Sequence, residues 1–227
     1  NRCLYDGTFD EIYALNAMCL AFGRCYLDFE KCEHPDWCNP RIGVGLEVTR
    51  AQTAHIGYTY HFSNQYLGKR KNEVPEHDLK IFSGHIFTSQ GRIIGISDSK
   101  GSVDGTRHVK LAVSAYEKKL CRLNSTHFTI FNENELFMYL TFMMNSDDMD
   151  LFRVECSKIE DNHAVKFSRI MLFDNCALYS YRPSSGLTES YNFSDEELSR
   201  LLDQSLVLRS KSKWKNGTKF CEVLRQV

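Results

Sequence analysis

The sequence of 227 residues lacks the motifs that mark the common enzyme classes. It has no G-x-S-x-G, H-E-x-x-H, Walker or G-x-G-x-x-G pattern, and Gly43 and Gly45 are followed by neither a third glycine nor a helix. The acidic pairs at 147–148 and 196–197 have local explanations, in a turn and at a helix start. We therefore predict a protein that is not an enzyme and uses no cofactor.

The chain also lacks an excess of charge and a long apolar run. Its 28 basic and 29 acidic residues give a net charge of -1, which is not the basic surface typical of nucleic-acid binding. The most apolar window, LFMYLTFMM at 136–144, is far shorter than the roughly 20 residues of a membrane-spanning helix. We therefore expect no nucleic-acid partner and no membrane span.

No C-x-x-C pair is present among the nine cysteines, so the closely spaced ligands of a zinc knuckle are missing. The sequence predicts disulfides and no metal site. A bond between Cys176 and Cys221 would attach the C-terminal segment to the body of the protein. The odd number leaves one cysteine free or joined to a second chain in a disulfide-linked dimer.

Three N-glycosylation sequons accompany the cysteines, at Asn124, Asn192 and Asn216. Many cysteines together with several sequons are typical of proteins that mature in an oxidising compartment. The first residue is Asn rather than Met, as expected of a chain whose signal peptide has been removed. We therefore predict a secreted, extracellular glycoprotein.

Local signals predict a helix near each end of the chain. Thr8 with Glu11 forms a capping box, and the apolar spacing that follows predicts a helix of about two dozen residues that ends before Pro35. Ser194 with Glu197 forms a second capping box before a leucine stripe. The segment TKFCEVL at 218–224 is expected to form a short terminal strand.

The middle of the chain reads as about ten short strands from about 44 to 182, including HVKLAVSAY, ELFMYLTFMMN and DLFRVECSK. A hairpin is expected to turn at Gln90-Gly91. The predicted fold is mainly β, an antiparallel β-barrel or sandwich with an N-terminal and a C-terminal α-helix, stabilised by disulfides. We expect one domain over 1–227, with a helical Cys-rich segment at 1–42, a β body at 43–183 and a C-terminal helix and strand at 184–227.

This order of elements, with a late cysteine, resembles the lipocalin (calycin) family, especially the salivary lipocalins of blood-feeding arthropods. Lipocalins usually have Gly-x-Trp at the first strand, whereas the nearest candidate here, Pro35-Asp36-Trp37, lacks the glycine and follows a long helix. The resemblance implies a cup-shaped barrel whose interior binds a small hydrophobic or amphipathic molecule. Its implied function is sequestration of that ligand by a secreted binding protein.

The segment AHIGYTYHF at 54–62 has two distinct faces if it is a strand. One face would place apolar side chains in a ligand cavity, together with the apolar strand at 135–145; these candidates are Tyr58, Tyr60, Phe62, Met138, Leu140 and Phe142. The other face carries His55, Thr59 and His61. These three residues face solvent, orient a polar ligand group, or bind a metal with His85 or His108. The two faces cannot line one cavity.

A second hypothesis is a secreted module that binds an extracellular protein, such as an immune protein or receptor of a host, without a small ligand. Its support is the segment YSYRPSSGLTESY at 179–191, which contains Tyr179, Tyr181, Arg182 and Tyr191. Tyr and Arg are enriched in the energetic hot spots of protein interfaces. The same tyrosines are also explained by an ordinary surface loop beside a core. A bound small molecule would distinguish the two hypotheses.

Overall fold

The protein has a mixed α/β fold. The computed structural model describes residues 8–52, 64–81, 85–88, 90–96, 105–211 and 214–225, of which 45% are helical and 23% are in strands. The helices are α1 Thr8–Phe22, α2 Glu76–Ile81, α3 Gly105–Leu123, α4 Ser146–Glu160, α5 Asp195–Lys211 and α6 Phe220–Leu224. Short 3-10 helices span Arg24–Asp28, Asn64–Tyr66 and Lys71–Glu73.

Seven of the described strands form one open sheet in the order β1-β2-β3-β6-β7-β8-β9. The strands of this sheet are β1 Glu30–Lys31, β2 Trp37–Asn39, β3 Val44–Ala51, β6 Glu133–Leu140, β7 Arg169–Phe173, β8 Ala177–Arg182 and β9 Leu187–Asn192. Strands β3, β6 and β7 are mutually parallel, and all other pairs in the sheet are antiparallel. The parallel pairs are joined by helical crossovers, since parallel strands cannot be linked by a tight turn.

Helices cover both faces of the central strands. Alternation along β6 sends Phe137 and Tyr139 into a core with α1 and α5, and sends Leu136 and Met138 into a second core with α3 and α4. The central strands are therefore apolar on both faces, as expected of a parallel sheet with helices on each side. The part of the apolar run that lies in β6, residues 136–140, is the buried centre of a three-layer domain.

The antiparallel barrel or sandwich predicted from the sequence is wrong. The sheet is open and mixed, and it is not the closed cup that the lipocalin resemblance implies. The segment HVKLAVSAY lies in α3, where the buried residues are Val109, Ala112, Tyr116, Leu120 and Leu123. Their spacing of three and four residues is that of a helix, but over nine residues the same segment also matches a two-residue alternation.

Two further predicted strands are helices. The segment DLFRVECSK lies within α4. That helix begins after Asn145, whose side-chain oxygen accepts a hydrogen bond from the Asp148 N–H at 2.8 Å. The terminal segment TKFCEVL contains α6. The predicted bond between Cys176 and Cys221 is not formed: both are free thiols, and the one disulfide in the described residues joins Cys32 to Cys38.

Several local predictions are confirmed. The predicted N-terminal helix is present as α1, Thr8–Phe22, although it ends before Gly23 at φ 97° rather than continuing toward Pro35. The hairpin at Gln90-Gly91 joins β4 His85–Phe87 to β5 Ile93–Ile96 in a separate two-stranded antiparallel sheet. The Ser194 hydroxyl accepts a hydrogen bond from the Glu197 N–H at 3.3 Å, which completes the predicted cap of α5.

None of the helices in the described ranges is long and apolar enough to cross a lipid bilayer.

Candidate functional site

The candidate site is a pocket of about 450 Å³ between helix α4 and strands β8 and β9. It begins where the chain leaves the carboxyl end of β6, at Met144, Asn145 and Ser146. Ligands of open α/β sheets commonly bind in a crevice outside the carboxyl ends of the parallel strands. The pocket therefore lies where this architecture commonly binds ligands.

Local structure aims three residues of α4 at the pocket. The N-cap Asn145, Met149 and Arg153 follow one another at intervals of four residues, which places them on one face of the helix. The Asp148 carboxylate accepts a hydrogen bond from the Asn145 N–H at 3.2 Å, so the cap is closed in both directions. The helix therefore holds its pocket-lining face in a defined orientation.

The opposite wall comes from the last hairpin of the sheet. Tyr179 of β8 is paired directly with Ser190 of β9, and both line the pocket beside Thr188 and Glu189. Cross-strand partners have adjacent side chains on the same face, so this pairing sets the shape of the wall. The hairpin is joined to β7 by antiparallel pairing, which fixes it to the body of the sheet.

The interior surface of the pocket is apolar on one side. Met144 is buried, and Met149 and Tyr179 are half-buried. Methionine is flexible and polarisable, so two methionines beside a tyrosine ring form a surface that adapts to apolar groups of different shape. This wall is suited to the hydrocarbon or ring portion of a small molecule.

Charged groups lie at the rim. The Arg153 guanidinium is 3.3 Å from the Asp150 carboxylate and 5.0 Å from the centre of the Tyr181 ring, which orients it. Burial raises the pKa of the Tyr179 hydroxyl, and the charge of Asp174 and its hydrogen bond with this hydroxyl raise it further, so the hydroxyl is neutral. The pocket thus combines an apolar wall with donors and acceptors for a polar head group.

None of the predicted ligand residues that the structure describes lies in this pocket. His55, Tyr58, Thr59, Tyr60, His61 and Phe62 lie outside the described residues. Met138, Leu140 and Phe142 are buried in the core between the sheet and helices α3 and α4. Phe142 packs edge-on against the ring of His108, with ring centres 4.5 Å apart. These three residues stabilise the fold, and none of them lines the pocket.

The tyrosines proposed for a protein surface have structural partners. Tyr181 is buried beneath Arg153, and the Tyr191 hydroxyl donates to the Glu197 carboxylate at 2.7 Å. Arg182 lies 3.7 Å from Glu133. Tyr179 is the member of this set that reaches the pocket. One signal in the sequence could have indicated this site: Asn145 and Asp148 have the spacing of a capping box at the start of a helix. The residues after them were predicted to form a strand, so Asn145–Asp148 was interpreted as a turn between strands.

A second group of polar residues is buried on the other face of the sheet. The Tyr26 hydroxyl donates to both oxygens of Glu135 at 3.2 and 3.0 Å, and Arg169 donates to the Tyr26 oxygen at 3.0 Å. Arg169 also reaches Ser180 at 2.6 Å and Glu189 at 3.1 Å. These contacts join the four strands β6 to β9 to the 3-10 helix at 24–28, so the cluster stabilises the α1 side of the sheet.

The sequons differ in their surroundings. Asn192 and Asn216 are exposed, whereas the Asn124 amide donates to the carbonyl oxygens of Leu120 and Val165 at 2.9 and 2.8 Å.

Comparisons of the chain with models of protein families, with curated proteins and with solved structures found no match. Function is therefore inferred here from the chemistry of the site.

Proposed function

We propose that this protein binds a small amphipathic molecule in the pocket between α4 and the β8–β9 hairpin. The observation that carries this proposal is the pocket itself: about 450 Å³, with Met144, Met149 and Tyr179 on one side and Arg153 at the rim. Ligand pockets in proteins commonly enclose roughly 300 to 1,000 Å³ and combine apolar walls with a few oriented polar groups. The volume suits a ligand of drug-like size.

The chemistry of the walls favours a ligand with a ring or hydrocarbon part and a polar head. Burial of the apolar part against the methionines supplies most of the free energy, at about 25 cal/mol for each Å² removed from water. Arg153 and Asp150 carry opposite charges at the rim, so a head group with both a donor and an acceptor has a partner for each. A bare hydrocarbon would leave these rim groups unused.

Secretion and N-glycosylation remain part of this proposal. They are supported by nine cysteines and three sequons in 227 residues. The protein would then act outside the cell by binding its ligand and keeping it from other acceptors. Catalysis is not part of this proposal: the described residues that line the pocket include neither a histidine nor a cysteine, the side chains most often used as base or thiol nucleophile.

The first experiment is native mass spectrometry of the chain expressed in a eukaryotic secretory host. We expect an additional non-covalent mass of a few hundred daltons that is lost on denaturation, after the glycan masses are accounted for. Extraction and identification of that mass gives the ligand class. Addition of the identified molecule to the ligand-free protein is expected to raise its melting temperature, because binding to the folded state alone stabilises it.

Two variants connect the ligand to this pocket. Met149→Trp fills the pocket from α4 and Ser190→Trp fills it from β9, so each is expected to lose the bound mass. Val154→Trp is the matched control, because Val154 lies on the same helix but is 53% exposed. All three proteins are checked by circular dichroism for an unchanged helix content. Retention of the ligand by both folded pocket variants would contradict the proposed site.

A chain that carries no small molecule in any preparation would also contradict the proposal. That result would favour the alternative of a protein-binding module, and capture of a defined extracellular partner would then be the next measurement. The two outcomes differ in the same spectrum, because a protein partner adds kilodaltons whereas a small ligand adds hundreds of daltons.

A further inference from the structure

The hairpin formed by β1 and β2 borders a second pocket, of about 410 Å³, at the edge of the sheet. Its lining includes Glu30, Cys32, Cys38 and two histidines, His34 and His127. Carboxylate, thiolate and imidazole are the side-chain ligands that zinc prefers. This pocket is separate from the amphipathic pocket beside α4, with which it shares no residue.

Strand pairing brings the three most closely spaced of these groups together. Glu30 and Cys38 are direct partners in the antiparallel register of β1 and β2, so their side chains are neighbours on one face. Cys32 follows Glu30 by two residues, which returns the chain to the same face. One ligand atom from each of Glu30, Cys32 and Cys38 lies within 4.8 Å of the other two.

The Glu30 carboxylate is not occupied by the charged groups around it. The Glu30 carboxylate and the His127 ring have no hydrogen bond or ion pair within the described residues. The ammonium of the adjacent Lys31 is occupied by the carbonyl oxygens of Cys32 and Asp36, each at 2.9 Å, and by Glu11 at 3.0 Å. His34 differs from His127, because the Arg122 guanidinium lies 2.7 Å from its Nδ1. Glu30 is therefore available to a cation.

The two sulfurs are joined to each other in this structure, and a disulfide does not offer the thiolates that bind zinc. An external dithiol would reduce the bond in two exchange steps: the dithiol becomes a disulfide, and Cys32 and Cys38 each receive one hydrogen. Binding of a divalent cation to the resulting pair of thiols then releases two protons, so charge and atoms balance. Cys32 is half-buried at the pocket surface, which gives the reductant access.

We propose that the reduced hairpin is a zinc site whose ligands are the thiolates of Cys32 and Cys38 and the carboxylate of Glu30. His127 lines the same pocket, and its ring has no hydrogen bond with a described residue, so we assign it as the fourth ligand of a tetrahedral site. Hard cations such as Ca²⁺ and Mg²⁺ are not expected to bind, because they prefer a full shell of oxygen ligands. Re-oxidation by an external disulfide, which takes up the two electrons and two protons and becomes a dithiol, would restore the Cys32–Cys38 bond and release the metal.

The sequence argued against a metal because it has no C-x-x-C pair. The structure supplies the missing proximity in another way, by placing Glu30 opposite Cys38 across the hairpin. Six positions separate the two cysteines along the chain, and the turn between the strands brings them back together. Zinc binding by this protein is independent of whether the amphipathic pocket beside α4 binds a ligand.

The test is a titration of the full chain with Zn²⁺, after reduction by a dithiol and its anaerobic removal by gel filtration. Isothermal calorimetry is expected to show one tight site per reduced chain and no such site in the oxidised protein. Co²⁺ in place of Zn²⁺ is expected to give the sulfur-to-cobalt charge-transfer absorption of a thiolate complex. Tight binding by the oxidised protein, or none by the reduced protein, would overturn the proposal.

Variants locate the metal on the hairpin. Cys32→Ser is expected to abolish the cobalt charge-transfer signal of this site, and Glu30→Gln is expected to weaken Zn²⁺ binding by more than about tenfold. Cys25→Ser and Cys121→Ser are the controls, because both residues are exposed free thiols elsewhere in the protein. The Glu30 carboxylate has no hydrogen bond or ion pair with any described residue, and the backbone pairing of Glu30 with Cys38 does not need it, so Glu30→Gln tests the site even if Cys32→Ser fails to fold. Loss of binding in the controls with retention in Glu30→Gln would refute the assignment.

Discussion

Glu135 is an acidic residue buried in strand β6, 3% exposed, beside Tyr26 and Arg169. Burial raises its pKa to about 7, because desolvation of the carboxylate outweighs the favourable effects of Arg169 and of the Tyr26 hydrogen bond. The pKa of Glu11 is also raised to about 7, by burial and by the negative charge of Asp36. Residues of this kind make stability depend on pH.

Replacement of Glu135 by Gln is expected to flatten the dependence of the unfolding free energy on pH. The folded-state pKa lies above the unfolded value of about 4.5, so the folded protein holds the proton more tightly. Stability from this residue is present at low pH and is lost as the pH rises from about 4.5 to about 7. Urea unfolding at pH 5, 6 and 7 should show roughly 2 kcal/mol less decline in the variant than in the natural chain.

Glu196→Gln is the control for this measurement, because Glu196 is exposed in the first turn of α5. It should leave the pH profile of the natural chain unchanged. Glu11 is still present in both variants, so some decline remains in each. An identical slope in Glu135→Gln and the natural chain would show that Glu135 ionises normally in the folded protein.

Strand β6 is the element that defines the interior of this protein. It lies between the parallel strands β3 and β7, and its alternate residues enter two separate hydrophobic cores. An apolar stretch of this kind has two interpretations from sequence, a strand covered on both faces or the wall of an apolar cavity. The helices on each side of the sheet show that the first interpretation is correct.

Met138→Ala and Met143→Ala form a matched pair that tests this placement. Met138 is 0% exposed in β6, whereas Met143 is 74% exposed just beyond the strand. Met138→Ala is expected to lower the unfolding free energy by about 2–5 kcal/mol, because it leaves a cavity in a close-packed core. Met143→Ala should change it by no more than about 0.5 kcal/mol. Chemical denaturation measures both, and equal small effects would place Met138 at a surface or cavity wall.

At the scale of the whole molecule, the fold determines which sequons a glycan can occupy. Asn124 lies just beyond α3, and its side chain links that helix to the segment before β7 through the backbone of Val165. A glycan on its Nδ2 would replace one of the two hydrogens that donate to Leu120 and Val165, at 2.9 and 2.8 Å, and would therefore break at least one of these hydrogen bonds. Asn192 and Asn216 are exposed, at the end of β9 and in the loop before α6.

Folded protein secreted by eukaryotic cells is therefore expected to carry glycans at Asn192 or Asn216 and none at Asn124. Peptide mapping after enzymatic deglycosylation in heavy-oxygen water measures the occupancy of each sequon. Asn124→Gln serves as a control for the assignment of peptides and should not change the glycan mass. Occupied Asn124 in protein with the expected helix content would contradict this description of the α3 end.

The sequence by itself determined the features that depend on neighbours along the chain. The cap of α5 at Ser194 and the hairpin turn at Gly91 follow from hydrogen bonds and backbone angles within a few residues. These local preferences hold whatever the rest of the molecule does. For this reason they were predictable without knowledge of the sheet.

Only the tertiary structure decided the identity of the middle segments and the partners of the sites. HVKLAVSAY satisfies a strand pattern and a helix pattern over its short length, and packing against α4 and β3 selects the helix. The neighbours of Glu30 and of Tyr179 come from strand pairing, Glu30 with Cys38 and Tyr179 with Ser190. Such pairing is chosen by the burial of apolar faces across the whole domain, a quantity that no short window of sequence contains.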